Sequence, residues 1–243
     1  MYQEHKEYLD FLKDNNVTIS SELLSTEYDN ESVFNPNLDW EYIISDYQKN
    51  KITVIDNFLS PNIADRLRNF VLYYNKKEDF YNDYAAINFY NDNSNGAWFP
   101  LLTNIVNGLL NNFKPNKRLT FLRAWSFIYK NNSHGVTAHA DPASVNFNLW
   151  VTPDECFDHA VQNSNGFDIW KIYPPDNWSW QDYNQDNVKV DNFLQQYENK
   201  KVSIEYKFNR IVIFDSKFFH KGQKITSKEG YKNRRINYTF LFN

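Results

Sequence analysis

The sequence predicts an α+β chain, with helices first and an antiparallel barrel or jelly roll behind them. Two observations carry this. Apolar residues recur at helical spacing only before Arg118. Beyond it come short aromatic or β-branched segments bounded by Asn, Pro, Gly or Asp. A third observation bounds the answer. The 243 residues are 42% hydrophobic and 18% aromatic, enough for one sizeable core and too apolar for a disordered chain.

Residues 1–50 read as an N-terminal extension, ahead of a single domain over 51–243. Tyr8, Leu9, Phe11 and Leu12 can form one helical turn, and the polar stretch from Ser20 to Asp39 reads as an extended arm. From Lys51 the texture changes. Ile52–Phe58 is a β-branched run, hence a strand. Ser60-Pro61 supplies an N-cap with proline at the first helical position. Ile63, Leu67, Phe70 and Val71 then give a one-faced helix to about Tyr74. A second helix spans about Leu101–Phe113, striped by Leu102, Ile105, Val106, Leu109 and Leu110, and Lys114-Pro115 ends it. Strands follow at Leu119–Tyr129, Ser144–Thr152, Phe167–Ile172, Val202–Tyr206, Arg210–Phe214 and Arg235–Phe242. The connection Pro174–Asn199, with Trp178 and Trp180, is placed over the mouth of the barrel.

Composition excludes several classes. No run of about 18 apolar residues is present to make a membrane-spanning helix. The polar N-terminus lacks the apolar region of a secretory leader. Cys156 is the only cysteine, which rules out disulfide scaffolds and cysteine zinc clusters and makes a reducing cytoplasm the expected setting. A net charge of −4 gives no field for gathering polyanions, so nucleic acid is disfavoured as a partner.

The chemistry sits around two of the five histidines, His139 and His220. In an extended segment His139 and Asp141 face the same side. So short a motif is, alone, more often a polar loop. His220 changes the odds, ending the apolar run that begins at Arg210. Two imidazoles and one carboxylate on a barrel rim form the facial triad suited to Fe(II), with open positions left over. In Arg235–Phe242, Arg235, Asn237 and Thr239 share one face while Ile236, Tyr238 and Phe240 share the other. An inward Arg235 needs an anionic mate, because burying a lone guanidinium is costly. Arg234 is the better candidate for a surface ion pair. His134 and His159 lie in Asn-rich loops and read as exposed.

The ordered set His139-x-Asp141, His220, Arg235 resembles the Fe(II)- and 2-oxoglutarate-dependent dioxygenase superfamily. Val54-Ile-Asp-Asn-Phe-Leu-Ser-Pro61, the approach Tyr129…Gly135…His139, Asn165-Gly166-Phe167-Asp-Ile-Trp170 and Asn209-Arg210-Ile-Val-Ile-Phe214 resemble its flanking segments. The likeness runs from about Ile52 to Asn243. It departs from the family pattern at Asn209, where glycine is usual, and in having one glycine before Phe167.

The resemblance implies a double-stranded β-helix (jelly roll, cupin-like) core with flanking N-terminal helices. It implies Fe(II) on His139, Asp141 and His220, and 2-oxoglutarate as co-substrate with its distal carboxylate on Arg235. Tyr129 and Thr239 are the candidate hydrogen-bond donors to that carboxylate. O2 and an organic substrate complete the reaction, which releases succinate and CO2. Asp141 is absent from the family's halogenating members, so its presence favours hydroxylation of a C–H bond in a small molecule or protein side chain. Arg123, Asn146 and Asn148 lie on strands able to line the barrel. Three other readings stand beside this one. The first is a non-enzymatic jelly-roll module binding a metal or sugar. The second is a cupin-type oxygenase not using 2-oxoglutarate. The third is a nucleic-acid demethylase, whose second arginine is replaced here by Leu241.

Overall fold

The computed structural model describes residues 32–74, 78–80, 83–90, 99–158 and 164–243. The expected turn at Tyr8–Leu12, the arm up to residue 31 and His159 lie outside the described residues. The first described helix, α1 (Trp40–Asn50), starts where the Asp39 carboxylate accepts a hydrogen bond from the Tyr42 amide at 2.9 Å. Lys51 ends it in left-handed backbone, φ 59°. Ile43 and Tyr47, four residues apart, bury its inner face. Together with Phe34 they belong to the main core. The main core therefore takes in Phe34 and α1 from the stretch read as an extension. The cause is aromatic: Phe34, Trp40 and Phe58 pack edge to face with centroids 5.2 to 5.9 Å apart. Polar neighbours hide this cluster in the sequence.

Two further helices cover the same core. Helix α2 (Pro61–Tyr73) and helix α3 (Pro100–Asn112) each begin on proline and bury stripes at spacings of three and four. Ser60 does not cap α2 as expected. Its hydroxyl instead donates to the Ser32 carbonyl at 2.6 Å, because the chain doubles back there and presents a partly buried acceptor.

Ten strands form two antiparallel sheets among the described residues. The larger has the spatial order β1 (Ile52–Ile55), β8 (Ile211–Asp215), β5 (Val145–Trp150), β10 (Ile236–Phe242), β4 (Phe121–Tyr129), β3 (Tyr84–Phe89), β2 (Glu78–Phe80). The smaller is β7 (Lys201–Ile204), β6 (Phe167–Trp170), β9 (Phe219–Gly222). Alternation along β10 divides its residues as the sequence predicts. Ile236, Tyr238 and Phe240 join the helices' core, leaving Arg235, Asn237 and Thr239 on the opposite face. Between the sheets Trp150, Val212 and Phe214 pack on Phe167, Ile169 and Ile204. The molecule is thus helices, large sheet and small sheet in three layers.

Two elements differ from expectation. His220 does not finish the strand begun at Arg210: that strand stops at Asp215, the chain turns as the Phe218 amide donates to the Asp215 carbonyl, and His220 lies on β9 of the other sheet. The connection expected over the mouth folds into α4 (Trp180–Asn184) and α5 (Asn187–Leu194), the first started by a Ser179–Asp182 capping box. Asn209, with φ 56°, adopts the left-handed backbone that glycine would. Its side chain also accepts from the Leu59 amide at 2.9 Å and donates to the Leu59 carbonyl at 2.7 Å. No helix among the described residues is long and apolar enough to cross a membrane.

Candidate active site

A histidine pair ties the connection between β4 and β5 to the smaller sheet. His139 and His220 exchange backbone hydrogen bonds, amide to carbonyl, at 3.0 and 2.8 Å. Just upstream, Gly135 lies so close to Gly222 that a Cβ would come within 2.5 Å of the Gly222 backbone. This brings the 135–139 segment in tightly, and helices α4 and α5 then hold the next residues. The Ala140 amide donates to the Tyr183 carbonyl at 3.1 Å, and the Asn184 amide group donates to the Ala140 carbonyl at 2.8 Å. Asp141 is fixed by its own amide, which donates to the Ser216 carbonyl at 3.0 Å.

The side chains converge. His139 Nδ1 lies 2.8 Å from the Thr137 carbonyl and His220 Nδ1 lies 3.0 Å from the Phe218 carbonyl. A carbonyl can only accept, so both protons sit on Nδ1 and both Nε2 lone pairs are free. The Nε2 atoms are 3.8 and 3.6 Å from the two carboxylate oxygens of Asp141, too far for hydrogen bonds. All three donor groups lie within 4.8 Å of one another. Metal–ligand bonds of about 2 Å bring neighbouring donor atoms to about 3 Å, a small closure from the 3.8 and 3.6 Å between imidazole and carboxylate atoms here. His220 is buried against Phe167 and Phe214. Burial first, and then neighbouring His139, lowers its pKa to about 4, so it is neutral at pH 7 as a ligand must be. Asp141 is buried too, and among the described residues its carboxylate accepts a single hydrogen bond, from Asn146 Nδ2 at 3.2 Å. A buried carboxylate so thinly partnered beside two free imidazole lone pairs fits a divalent cation.

The second feature is Arg235, fully buried between the sheets. Its Nε donates to the Asn165 carbonyl at 2.6 Å and Nη1 to Asn237 Oδ1 at 3.2 Å. The rings of Tyr129, Trp150 and Tyr206 surround the guanidinium at 5.0, 5.5 and 5.6 Å. No carboxylate among the described residues pairs with it, and Nη2 has no hydrogen-bond partner. Burial pulls its pKa down, opposed by the two tyrosines. Burial likewise pushes the Tyr129 phenol up to about 12, with the Arg235 charge opposing. A buried cation with a free N–H and no counter-charge is a receptor for an anion.

The structure brings the sequence candidates into two groups in its interior. His139, Asp141 and His220 form the triad, and Tyr129 lies beneath Arg235. Thr239 stands between them on β10, its hydroxyl oxygen accepting from Asn148 Nδ2 at 3.0 Å and Asn237 Nδ2 at 3.3 Å. Its own proton is left free to donate. Two neighbours expected to be bland or inward differ. Arg234 is not a surface residue: it is buried with its guanidinium 5.0 Å from the Tyr231 ring. Arg123 is exposed, lying over Trp125 at 4.7 Å. Trp178 packs on Phe193 and Phe219, and Trp180 is largely open to solvent. His134 is exposed as expected.

Sequence reasoning missed Trp150, Tyr206 and the Asn165 carbonyl around Arg235. Trp150 had a signal, standing two residues beyond Asn148 on the same strand face. Tyr206 had none, since it lies past the end of β7 and reaches in by bonding Thr152.

No family model matches the sequence, and no curated protein matches it either. Solved structures do resemble it in shape. The carbocyclase SnoK of nogalamycin biosynthesis, described as non-heme and α-ketoglutarate-dependent, superposes with a TM-score of 0.60 at 13% identity, covering 88% of this chain and 87% of its own. The epimerase SnoN, solved with Fe3+, α-ketoglutarate and nogalamycin RO, gives 0.57 at 8% identity over 84% and 82%. A prolyl hydroxylase of Trichoplax adhaerens, solved with a peptide of hypoxia-inducible factor, gives 0.54 at 15% identity over 84% and 88%. This chain has the double-stranded β-helix fold of the 2-oxoglutarate- and Fe(II)-dependent oxygenases.

Proposed function

We propose that the protein is a 2-oxoglutarate- and Fe(II)-dependent oxygenase that hydroxylates a C–H bond of an organic substrate. The observation that carries this is the presence together of the His139–Asp141–His220 triad and a buried Arg235 with no carboxylate partner among the described residues. A metal- or sugar-binding jelly roll has no use for that arginine, and neither has an oxygenase that dispenses with a 2-oxo acid.

Fe(II) bound by the triad, with 2-oxoglutarate and O2, supplies oxidation of an unactivated C–H bond and leaves succinate and CO2. The chain's own residues do the rest. His139 and His220 present neutral Nε2 donors, each held in orientation by its Nδ1–H bond to a carbonyl. Asp141 adds one negative charge on the same side, and Asn146 holds one of its oxygens. Arg235 receives the distal carboxylate through Nη2, and the Tyr129 and Thr239 hydroxyls are placed to donate to it. Tyr129, Trp150 and Tyr206 exclude water from the guanidinium, which strengthens that ion pair. The single, buried, unpaired Cys156 agrees with a cytoplasmic setting.

The test is succinate formation from 2-oxoglutarate in air, with and without Fe(II). Iron-dependent succinate release by the wild type, absent in His139→Ala, supports the reading. Succinate release equal in the two proteins overturns it.

A further inference from the structure

Register places three residues in one row across neighbouring strands: Arg123 on β4 pairs with Leu241 on β10, which pairs with Asn146 on β5. Paired residues project to the same face, and this face carries the triad, because Asn146 Nδ2 bonds to Asp141. Trp125, in the next row of β4, packs with Leu241 and with Ala143, two residues past Asp141. Phe127 follows against that cluster, so Trp125 and Phe127 make an aromatic wall with centroids 6.2 Å apart.

Two polar atoms along this wall lack partners among the described residues. Trp125 is more than nine-tenths buried, yet its Nε1–H finds no acceptor among the described residues. Asn146 is almost wholly buried, and its Oδ1 finds no donor among the described residues. The orientation of that amide is forced, since a carboxylate oxygen of Asp141 can only face the NH2. Each such orphan is costly unless a ligand satisfies it. Arg123 lies over the Trp125 ring at the outer end of the row, and no carboxylate among the described residues pairs with it. Lys117, whose ammonium donates to Ser144 Oγ at 2.9 Å, adds a second positive charge beside the Ala143 end. One unpartnered donor and two cations ask for an anion, and the lone acceptor asks for an N–H or O–H.

We infer that the organic substrate is a small anion. Its carboxylate or phosphate pairs with Arg123 and accepts from Trp125 Nε1. Its body lies along Trp125 and Phe127, and a hydroxyl or amine donates to Asn146 Oδ1 near the triad. The inference rests on the oxygenase reading and deepens it by naming the substrate's charge.

The probes are matched sets: hydroxycarboxylic acids with their amides, and sugar phosphates with their parent sugars. Thermal shifts of the full chain are read under nitrogen with Mn(II) and 2-oxoglutarate. The anion arm is repeated without either, so that failure of the oxygenase reading and failure of this inference separate. The expected result is stabilisation by members of one anionic set and at least tenfold weaker binding of the neutral partners. A similar loss is expected in Arg123→Gln, with a several-fold loss in Trp125→Phe, which removes only the N–H. Which set responds tells carboxylate from phosphate. Far-UV circular dichroism confirms that both variants fold. Neutral partners binding as well as anions, Arg123→Gln binding as well as wild type, or no anion of either set binding would each overturn it.

Discussion

Arg235→Met gives the sharpest test of the co-substrate pocket. Methionine keeps the length of the apolar stem and removes the guanidinium from among Tyr129, Trp150 and Tyr206. Two of the three guanidinium nitrogens are already committed to Asn165 and Asn237, so an incoming carboxylate meets Nη2 and at most one remaining N–H of Nη1. One or two hydrogen bonds to a charged group contribute about 1.5–3 kcal/mol each. The loss on truncation is therefore about 3 kcal/mol, which is about a hundredfold in Kd at 1.4 kcal/mol per decade. Calorimetric titration of Mn(II)-loaded protein with 2-oxoglutarate, run anaerobically, measures it. Mn(II) affinity itself should stay near wild type, since Arg235 is not a ligand. An affinity for 2-oxoglutarate within threefold of wild type would refute the assignment of Arg235.

Other consequences are equally direct. Mn(II) at a hundred times its Kd stabilises the wild type by about 2.7 kcal/mol. That is a rise of several degrees in Tm, absent in His139→Ala, and a variant that keeps it would remove His139 from the site. Asn209→Ala loses two buried hydrogen bonds to Leu59 and strains a left-handed backbone, costing about 3 kcal/mol, whereas Asn209→Gly keeps the backbone and costs about 1 kcal/mol less; urea midpoints ordered the other way would contradict this. Arg210 first, then Lys207, holds the Asp56 carboxyl below its ordinary value of 3.8. That contribution is complete above the unfolded pKa and disappears as pH falls through the folded one, so wild type and Asp56→Asn should converge in stability below about pH 3.8. A gap that widens in acid would reverse the sign.

Much of this was legible in the sequence because alternation and periodicity are local. The inward face of β10 and the helices at Pro61 and Pro100 follow from the spacing of apolar residues alone. The triad followed from an ordered set of side chains. What was not legible is set by contacts distant in the chain. The polar run before Trp40 conceals Phe34, whose place depends on Phe58 and on Gly108, where any Cβ would overlap the Phe34 ring. His220 read as a strand end because Phe218 and Phe219 continue the apolar run, whereas the turn at Asp215 moves it to the other sheet. Tyr206 reaches Arg235 from beyond a strand, with no period to announce it. The burial of Arg234 was equally hidden, since adjacent residues on an extended chain face opposite sides and both sides here are interior.

The central claim is that His139, Asp141, His220 and Arg235 form one site for iron and a 2-oxo acid. An anaerobic titration with Fe(II), then 2-oxoglutarate, followed by visible absorption, tests it most directly. The account predicts a charge-transfer band that appears only with both present, vanishes in His139→Ala and needs far more 2-oxoglutarate in Arg235→Met. Iron binding without that band would contradict it.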